Sequence, residues 1–309
     1  ETGGTGQSTL TTSYLKNLNI PIFTNTFQQK IDDIVSLSNL KNLKSKQLYQ
    51  EAEELLLKEL DLLNFEPTNE NIAIKSFKES FLTTGRLDSE YYLPKYEELK
   101  EKIKNYSNGY KYLSEIANTF RGSLISDTFY SSEGKPYIRG ADISSNILEN
   151  NKLTYIDNSF KFTSEKTLET DDLVFALIGT VGSVARVTDE YNGACISNNL
   201  GFIRLKNNYI NSILLHLILT SNKIGILYFE QKEMRTAQPK ISDKDIHDFM
   251  IPIIDLSIQK QIEEKIKESF ELKHNSAQLL TKAKQAVETA IEYDENKAIE
   301  VLKVKNERK

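Results

Sequence analysis

One segment of this chain occurs twice, 231 residues apart, and that repeat constrains the fold more than any other feature. Thr5, Gln7, Ile20-Pro21-Ile22, Gln28 and Ile31 recur without a gap as Thr236, Gln238, Ile251-Pro252-Ile253, Gln259 and Ile262. Leu10/Ile241, Leu15/Ile246, Phe27/Ile258 and Asp32/Glu263 add conservative matches in the same register. Shared composition does not hold an Ile-Pro-Ile in step with a distant Thr-x-Gln. Each copy then enters an amphipathic stretch. Phe27, Ile31, Val35, Ala52, Leu56 and Leu60 follow the first copy, and Ile258, Ile262, Ile266, Phe270, Ala277, Leu280, Val287 and Ile291 follow the second. Their three- and four-residue spacings leave a Lys/Glu/Gln-rich opposite face, the pattern of a helix lying along one partner helix. Neither stretch contains Pro or Gly, and each is far longer than the average globular helix of about 12 residues. An ordinary surface helix on a globular core is the alternative. The pattern predicts an antiparallel two-helix coiled coil with Ile31, Val35, Leu56, Ile262, Ile266 and Val287 at its seam.

Between the helices the texture changes. Polar residues around Pro67 read as a connector, and 95–106 as a short amphipathic helix. Pro136-Tyr137-Ile138-Arg139, Leu173-Val174-Phe175-Ala176-Leu177-Ile178 and Gly201-Phe202-Ile203-Arg204-Leu205 read as strands bounded by turn residues. Residues 210–221 have helical periodicity. The expected fold class is α+β: one mixed α/β globular domain flanked by the two long helices.

Chemistry is addressed mostly by what the sequence lacks. No phosphate loop ends in Lys-Ser/Thr, no Asn/Asp-Pro-Pro-Tyr methylation motif occurs, and His216, His247 and His274 are scattered. Ile178-Gly179-Thr180-Val181-Gly182-Ser183 reads as a tight turn between strands, and His216 as a satisfied core residue. The single Cys195, in an apolar run, reads as a buried thiol and fits a reducing cytoplasm. No run of 18 apolar residues is present, so no membrane span is expected. The net charge is −5, and residues 109–255 hold 15 Lys/Arg against 18 Asp/Glu. That balance argues mildly against nucleic acid, which usually meets a basic surface.

Specific strings nevertheless resemble the specificity subunits of type I restriction-modification systems. Leu113-Ser114-Glu115-Ile116 with Arg121-Gly122 resembles the opening of that family's target-recognition domain. Pro136-Tyr137-Ile138-Arg139-Gly140-Ala141-Asp142-Ile143, Thr170-Asp171-Asp172-Leu173-Val174 and Ile178-Gly179-Thr180-Val181-Gly182 resemble its inner segments. Gln238-Pro239-Lys240-Ile241-Ser242 through Gln259-Lys260-Gln261-Ile262 resembles its close and the entry to a spacer helix. The resemblance implies this division: residues 1–24 the end of a first recognition domain, 25–64 the first spacer helix, 65–84 a connector, 85–255 the recognition domain, 256–294 the second spacer helix, and 295–309 a tail. The family usually carries two recognition domains, so the chain is expected to be a C-terminal portion or a half-size version.

The resemblance also implies a non-catalytic role with no cofactor of its own. Methyltransferase subunits would bring S-adenosylmethionine, and a restriction motor subunit ATP and cutting. A second specificity half or a homodimer would complete recognition of a bipartite site on double-stranded DNA. Helices of this length give a spacer of roughly 57 Å, about one and a half to two turns of duplex. Base reading needs Arg, Lys, Asn and Gln at groove edges. The candidates are Arg121, Tyr137, Arg139, Lys161, Arg186, Asn198, Asn199, Arg235, Gln238 and Lys240, with Arg139 and the Arg235-to-Lys240 loop foremost. Gln238 also has a repeat partner, Gln7, which points to a structural task. Two other readings remain open at this point: a coiled-coil scaffold whose module binds protein or glycan, and a nuclease using Asp171, Asp172 or Glu230.

Overall fold

A computed structural model describes residues 16, 19–148, 153–161, 166–234 and 237–303. Most of the first repeat copy therefore lies outside the described residues, as do Arg235 and Thr236. The chain divides into two units, 1–48 with 267–309, and 49–266.

The two long stretches form helices α1 (Asn25–Glu59) and α7 (Leu256–Glu292). Thr24 starts α1, its hydroxyl accepting from the Phe27 N–H at 3.3 Å, and Asp255 starts α7 by accepting from the Ser257 N–H at 2.8 Å. Both supply an oxygen to an N–H that has no partner inside the helix. The helices pack together antiparallel, as expected. In the first unit the seam holds serine, not only aliphatic residues. Ser38 Oγ donates to Ser276 O, Ser276 Oγ donates to Ser38 O, both at 2.9 Å, and Ser269 Oγ donates to Ser45 O at 2.8 Å. All four serines are buried. They are also related by the repeat: Ser38 corresponds to Ser269 and Ser45 to Ser276 at the same offset of 231. The two layers thus exchange under the repeat. Phe27, Ala286 and Ala298 close the end of this seam, where α8 (Glu295–Lys303) folds back. In the second unit Ala52, Leu56, Ile262 and Ile266 are buried, and Lys265 pairs with Glu51 at 2.6 Å. Three expected stripe members differ: Ala277 is exposed, Leu280 is 46% exposed and Ile291 57%. The buried row instead steps in sevens through Ile262, Ser269, Ser276 and Ala283, the period of a two-helix seam.

The second unit carries the mixed domain, entered through the short helix α2 (Phe81–Thr84) and α3 (Pro94–Lys104). Strand β1 (Tyr110–Tyr112) pairs antiparallel with β12 (Met250–Pro252), so that Ile251 of the repeated Ile-Pro-Ile is buried. After a single helical turn, α4 (Leu113–Ile116), comes β2 (Ala117–Arg121). It lies in an antiparallel sheet of order β2-β11-β8-β9, with β8 Leu173–Ala176, β9 Val184–Arg186 and β11 Leu200–Leu205. All four residues of β8 are buried, which explains why that run reads as uninterrupted apolar sequence. A second sheet has order β10-β4-β7-β3, with β3 Tyr130–Ser131, β4 Lys135–Ile138, β7 Thr154–Ile156 and β10 Cys195–Ile196. A small hairpin, β5 (Ile143–Ser144) and β6 (Ile147–Leu148), turns on Ser145 and Asn146, both at positive φ. Val174, Ala176 and Phe202 from the first sheet and Ile138 and Ile196 from the second share one core.

Helix α5 (Ser212–Thr220) is apolar all round and correspondingly buried. Helix α6 (Gly225–Lys232), which was not among the expected elements, follows at once. Among the described residues no single helix is long and apolar enough to cross a membrane. His216 is buried, and its Nε2 lies 3.1 Å from both Asn146 O and Val184 O. The neutral Nε2–H donor is the form that suits two acceptors, and burial lowers its pKa to about 4. Cys195 is buried as expected, and burial raises its pKa to about 12.

Candidate nucleic-acid interface

Five loops meet at one end of the first sheet, stitched by main-chain hydrogen bonds. Gly122 N donates to Leu200 O and Ser123 N to Ile196 O, both at 3.0 Å. Ser197 N donates to Ile138 O at 2.9 Å, which brings the residue after β4 beside the β10–β11 turn. Leu177 N donates to Asn199 O, Gly179 N to Pro239 O and Ile241 N to Leu177 O, each at 2.9 Å. The edge so formed carries Arg121, Arg139, Asn198, Asn199, Gln238 and Lys240. Gly122 is required for it: a Cβ there would sit 2.1 Å from Ser197 O and 2.5 Å from Ile196 O.

The side chains on this edge are open in different degrees. Arg121 is exposed, and its Nε donates to Asn198 O at 3.0 Å, which orients the guanidinium along the turn. Arg139 Nε stands 3.8 Å from Asp142 Oδ2, too far for a hydrogen bond, and has no other acceptor. Asn199, Gln238 and Lys240 are exposed and Asn198 is half-buried. Arg121 and Lys240 line one cleft of about 950 Å³, whose other wall includes Arg86, Asp88 and Glu90. Asp88 is held below the usual carboxylate range by its hydrogen bonds from Arg86, so that acid is already answered by a cation. Such an edge can donate to acceptor atoms from guanidinium, amide and ammonium groups over a short span.

Three other candidates do not join it. Tyr137 is buried, and its hydroxyl donates to Ser123 O at 3.0 Å, so it supports the 121–123 segment from behind and reaches no external partner. Arg186 lies at the opposite end of the sheet, paired with Asp171 at 2.5 Å, and Ser212 Oγ donates to the same carboxylate at 2.9 Å. Lys161 is exposed next to Phe160 of the second sheet's cluster, and none of the hydrogen bonds that stitch the loops is made by it. Arg235 lies outside the described residues. The acids considered for hydrolytic chemistry are engaged too. Asp172, 2% exposed, receives Arg204 through Nε and Nη2 at 2.9 and 2.7 Å, and Glu230 pairs with Lys95 at 2.8 Å. Sequence reasoning missed Arg86, which it left unremarked at the start of the 85–255 recognition domain; the signal was an arginine two residues ahead of Asp88, just after Gly85.

An α+β domain set between two paired helices, with a polar edge built from loops, is the class that the fold defines. Residues 93–285 match the model of the type I restriction modification DNA specificity domain, and the chain belongs to that family. Among solved structures it is similar to the HsdS subunit from Thermoanaerobacter tengcongensis, at 16% identity over 94% of this chain and a TM-score of 0.41. It is similar also to the type I restriction-modification S subunit from M. genitalium, at 17% identity over 97% of this chain and a TM-score of 0.39. The chain spans 65% and 67% of the lengths of those two proteins. Among curated proteins no sequence match is found.

Proposed function

We infer that this chain reads a DNA sequence on behalf of a type I restriction-modification complex and does no chemistry itself. One observation carries the reading: in a chain of the DNA specificity family, loops distant in sequence converge to place Arg121, Arg139, Asn198, Asn199, Gln238 and Lys240 on one edge. Arginine can bridge guanine O6 and N7, and Asn or Gln adenine N6 and N7, each good pair discriminating by about 1–3 kcal/mol. Lys240 and Arg235 supply phosphate or base contacts on the same loop. Methyltransferase subunits and a restriction motor subunit are the partners that would bring S-adenosylmethionine and ATP. A second specificity half, or a second copy of this chain, would read the other half of a bipartite double-stranded site.

The test is selection from random duplex DNA by the chain assembled with its methyltransferase subunits, followed by substitution of Arg121 and Arg139 by Ala. Each substitution is expected to weaken the selected duplex about 10-fold or more and a scrambled duplex much less. A phosphate contact would instead weaken both and flatten the salt dependence by about one unit. Wild-type behaviour of both variants on both duplexes would remove these residues from the interface.

A further inference from the structure

Arg86 precedes α3, yet its side chain is spent on main-chain groups 146 and 147 residues further along the chain. Its Nη1 donates to Lys232 O at 2.8 Å and its Nη2 to Glu233 O at 3.3 Å. Those are the last carbonyl of α6 and that of its C-cap residue, which have no partner inside the helix and form the negative end of its dipole. The other edge of the fork is fixed by Asp88, through Nε at 2.8 Å and Nη2 at 2.5 Å. The Tyr91 ring lies 4.7 Å from the guanidinium carbon. The turn that presents Arg86 is itself held, because Tyr92 Oη donates to Arg86 O at 2.9 Å and Gly85, at φ +71, donates its N–H to Phe81 O.

One residue beyond the clamped carbonyls a loop begins. Met234 N donates to Lys240 O at 2.9 Å and Lys240 N to Met234 O at 3.4 Å, which pairs Met234 with Lys240 at the base of the loop. On the returning leg Ser242 N donates to Asp245 Oδ2 at 2.6 Å, and the Asp245 charge also acts on Arg86. The guanidinium therefore bonds to the chain just ahead of the loop that carries Gln238 and Lys240, and it lines one cleft with Met234, Lys240 and Asp245.

We propose that Arg86 is a positioning residue for sequence recognition: it fixes the base of the 234–240 loop and touches no DNA itself. Its side chain is 18% exposed, and four of its five N–H donors are engaged within the protein. A lysine would keep the charge but could not span two carbonyls and a carboxylate, since it offers a point charge in place of a planar fork. This role rests on the DNA-reading proposal above.

The experiment compares wild type, Arg86→Lys and Asp88→Asn in the full chain, by trypsin cleavage at Arg235 and Lys240 and by binding of the assembled complex to duplexes. Arg86→Lys is expected to keep the wild-type circular dichroism spectrum and to be cut in the loop several-fold faster. It is expected to lose about 10-fold in discrimination between the selected and scrambled duplexes with an unchanged salt slope. Asp88→Asn, which loosens the fork and keeps Arg86, should fall between the two. Wild-type cleavage together with wild-type discrimination in Arg86→Lys overturns the proposal. So does an equal loss on both duplexes with a salt slope lower by one, which would make Arg86 a phosphate ligand. If wild type itself selects no sequence, the DNA-reading proposal fails and the recognition role of Arg86 fails with it; faster cleavage in that case would separate the two, leaving the clamp as a fact of the fold alone.

Discussion

Leucine at the seam of a helix pair ordinarily adds stability, but in this protein Ser276→Leu should remove it. Ser276 and Ser38 hydroxyls each reach a main-chain oxygen of the facing helix at 2.9 Å, and both side chains are buried. A serine reaches so far only if the backbones are near the lower limit of helix packing, about 8 Å between axes. A leucine there must fit its extra carbons where the Ser38 carbonyl now stands. Overpacking of this kind costs about 1–3 kcal/mol, to which the loss of the Ser276 hydrogen bonds adds about 1 kcal/mol. Ser276→Ala should cost only the second quantity. Ser38→Ala with Ser276→Ala should cost less than twice that, because both partners of the reciprocal pair are then gone together. Urea denaturation followed by circular dichroism at 222 nm resolves these differences. A Ser276→Leu variant more stable than wild type would show that the helices are not closely apposed at that layer.

Other outcomes follow from the second unit. His216 is held at about 4 in the fold by burial against an ordinary value near 6.5, so the unfolded chain takes up its proton first as pH falls. Stability should be full above about pH 6.5 and decline toward pH 4, by on the order of 3 kcal/mol; urea midpoints of His216→Gln that fall just as steeply over that window would refute the assignment. Gly122→Ala drives a methyl against Ser197 O and should lower the melting temperature by several degrees, about 2–4 °C per kcal/mol, while weakening binding to duplex DNA; an unchanged melting temperature would mean the loops are not stitched as described. Arg204→Met leaves the buried Asp172 carboxylate without its partner and should cost about 3–5 kcal/mol, a cost largely recovered in the double variant with Asp172→Leu; simple additivity would contradict it.

The helices were legible in the sequence because a seam of one partner has a long, narrow period and because the repeat announced it twice. The serine layers were not, since a serine counts as polar in any periodicity. Their signal was present as Ser45-x-Gln47-Leu48 and Ser276-x-Gln278-Leu279, in register with the repeat. Leu280, which the stripe included, is turned outward where Ser276 sets the close approach. Strands such as β8 showed in their apolar runs, but the parallel pairing of β10 with β4 joins Ile196 to Ile138, and no local pattern encodes it. That pairing brings Arg139 to the candidate edge. Residue type alone nominated Tyr137 and Arg186 equally well, and only the tertiary structure supplies the partners, Ser123 O and Asp171, that occupy them. Arg86 was overlooked for the same reason: its partners lie on α6, far along the chain.

This domain is expected to distinguish one DNA sequence from others. The most direct measurement is fluorescence anisotropy of the chain, assembled with methyltransferase subunits, on a duplex enriched from a random library and on its scrambled counterpart, across a salt series. We expect enrichment of at least one defined half-site and an affinity about 1,000-fold or more above the scrambled duplex at physiological salt. Equal affinities that fall together as salt rises would mean that the edge holds only the phosphate backbone, and the claim would be wrong.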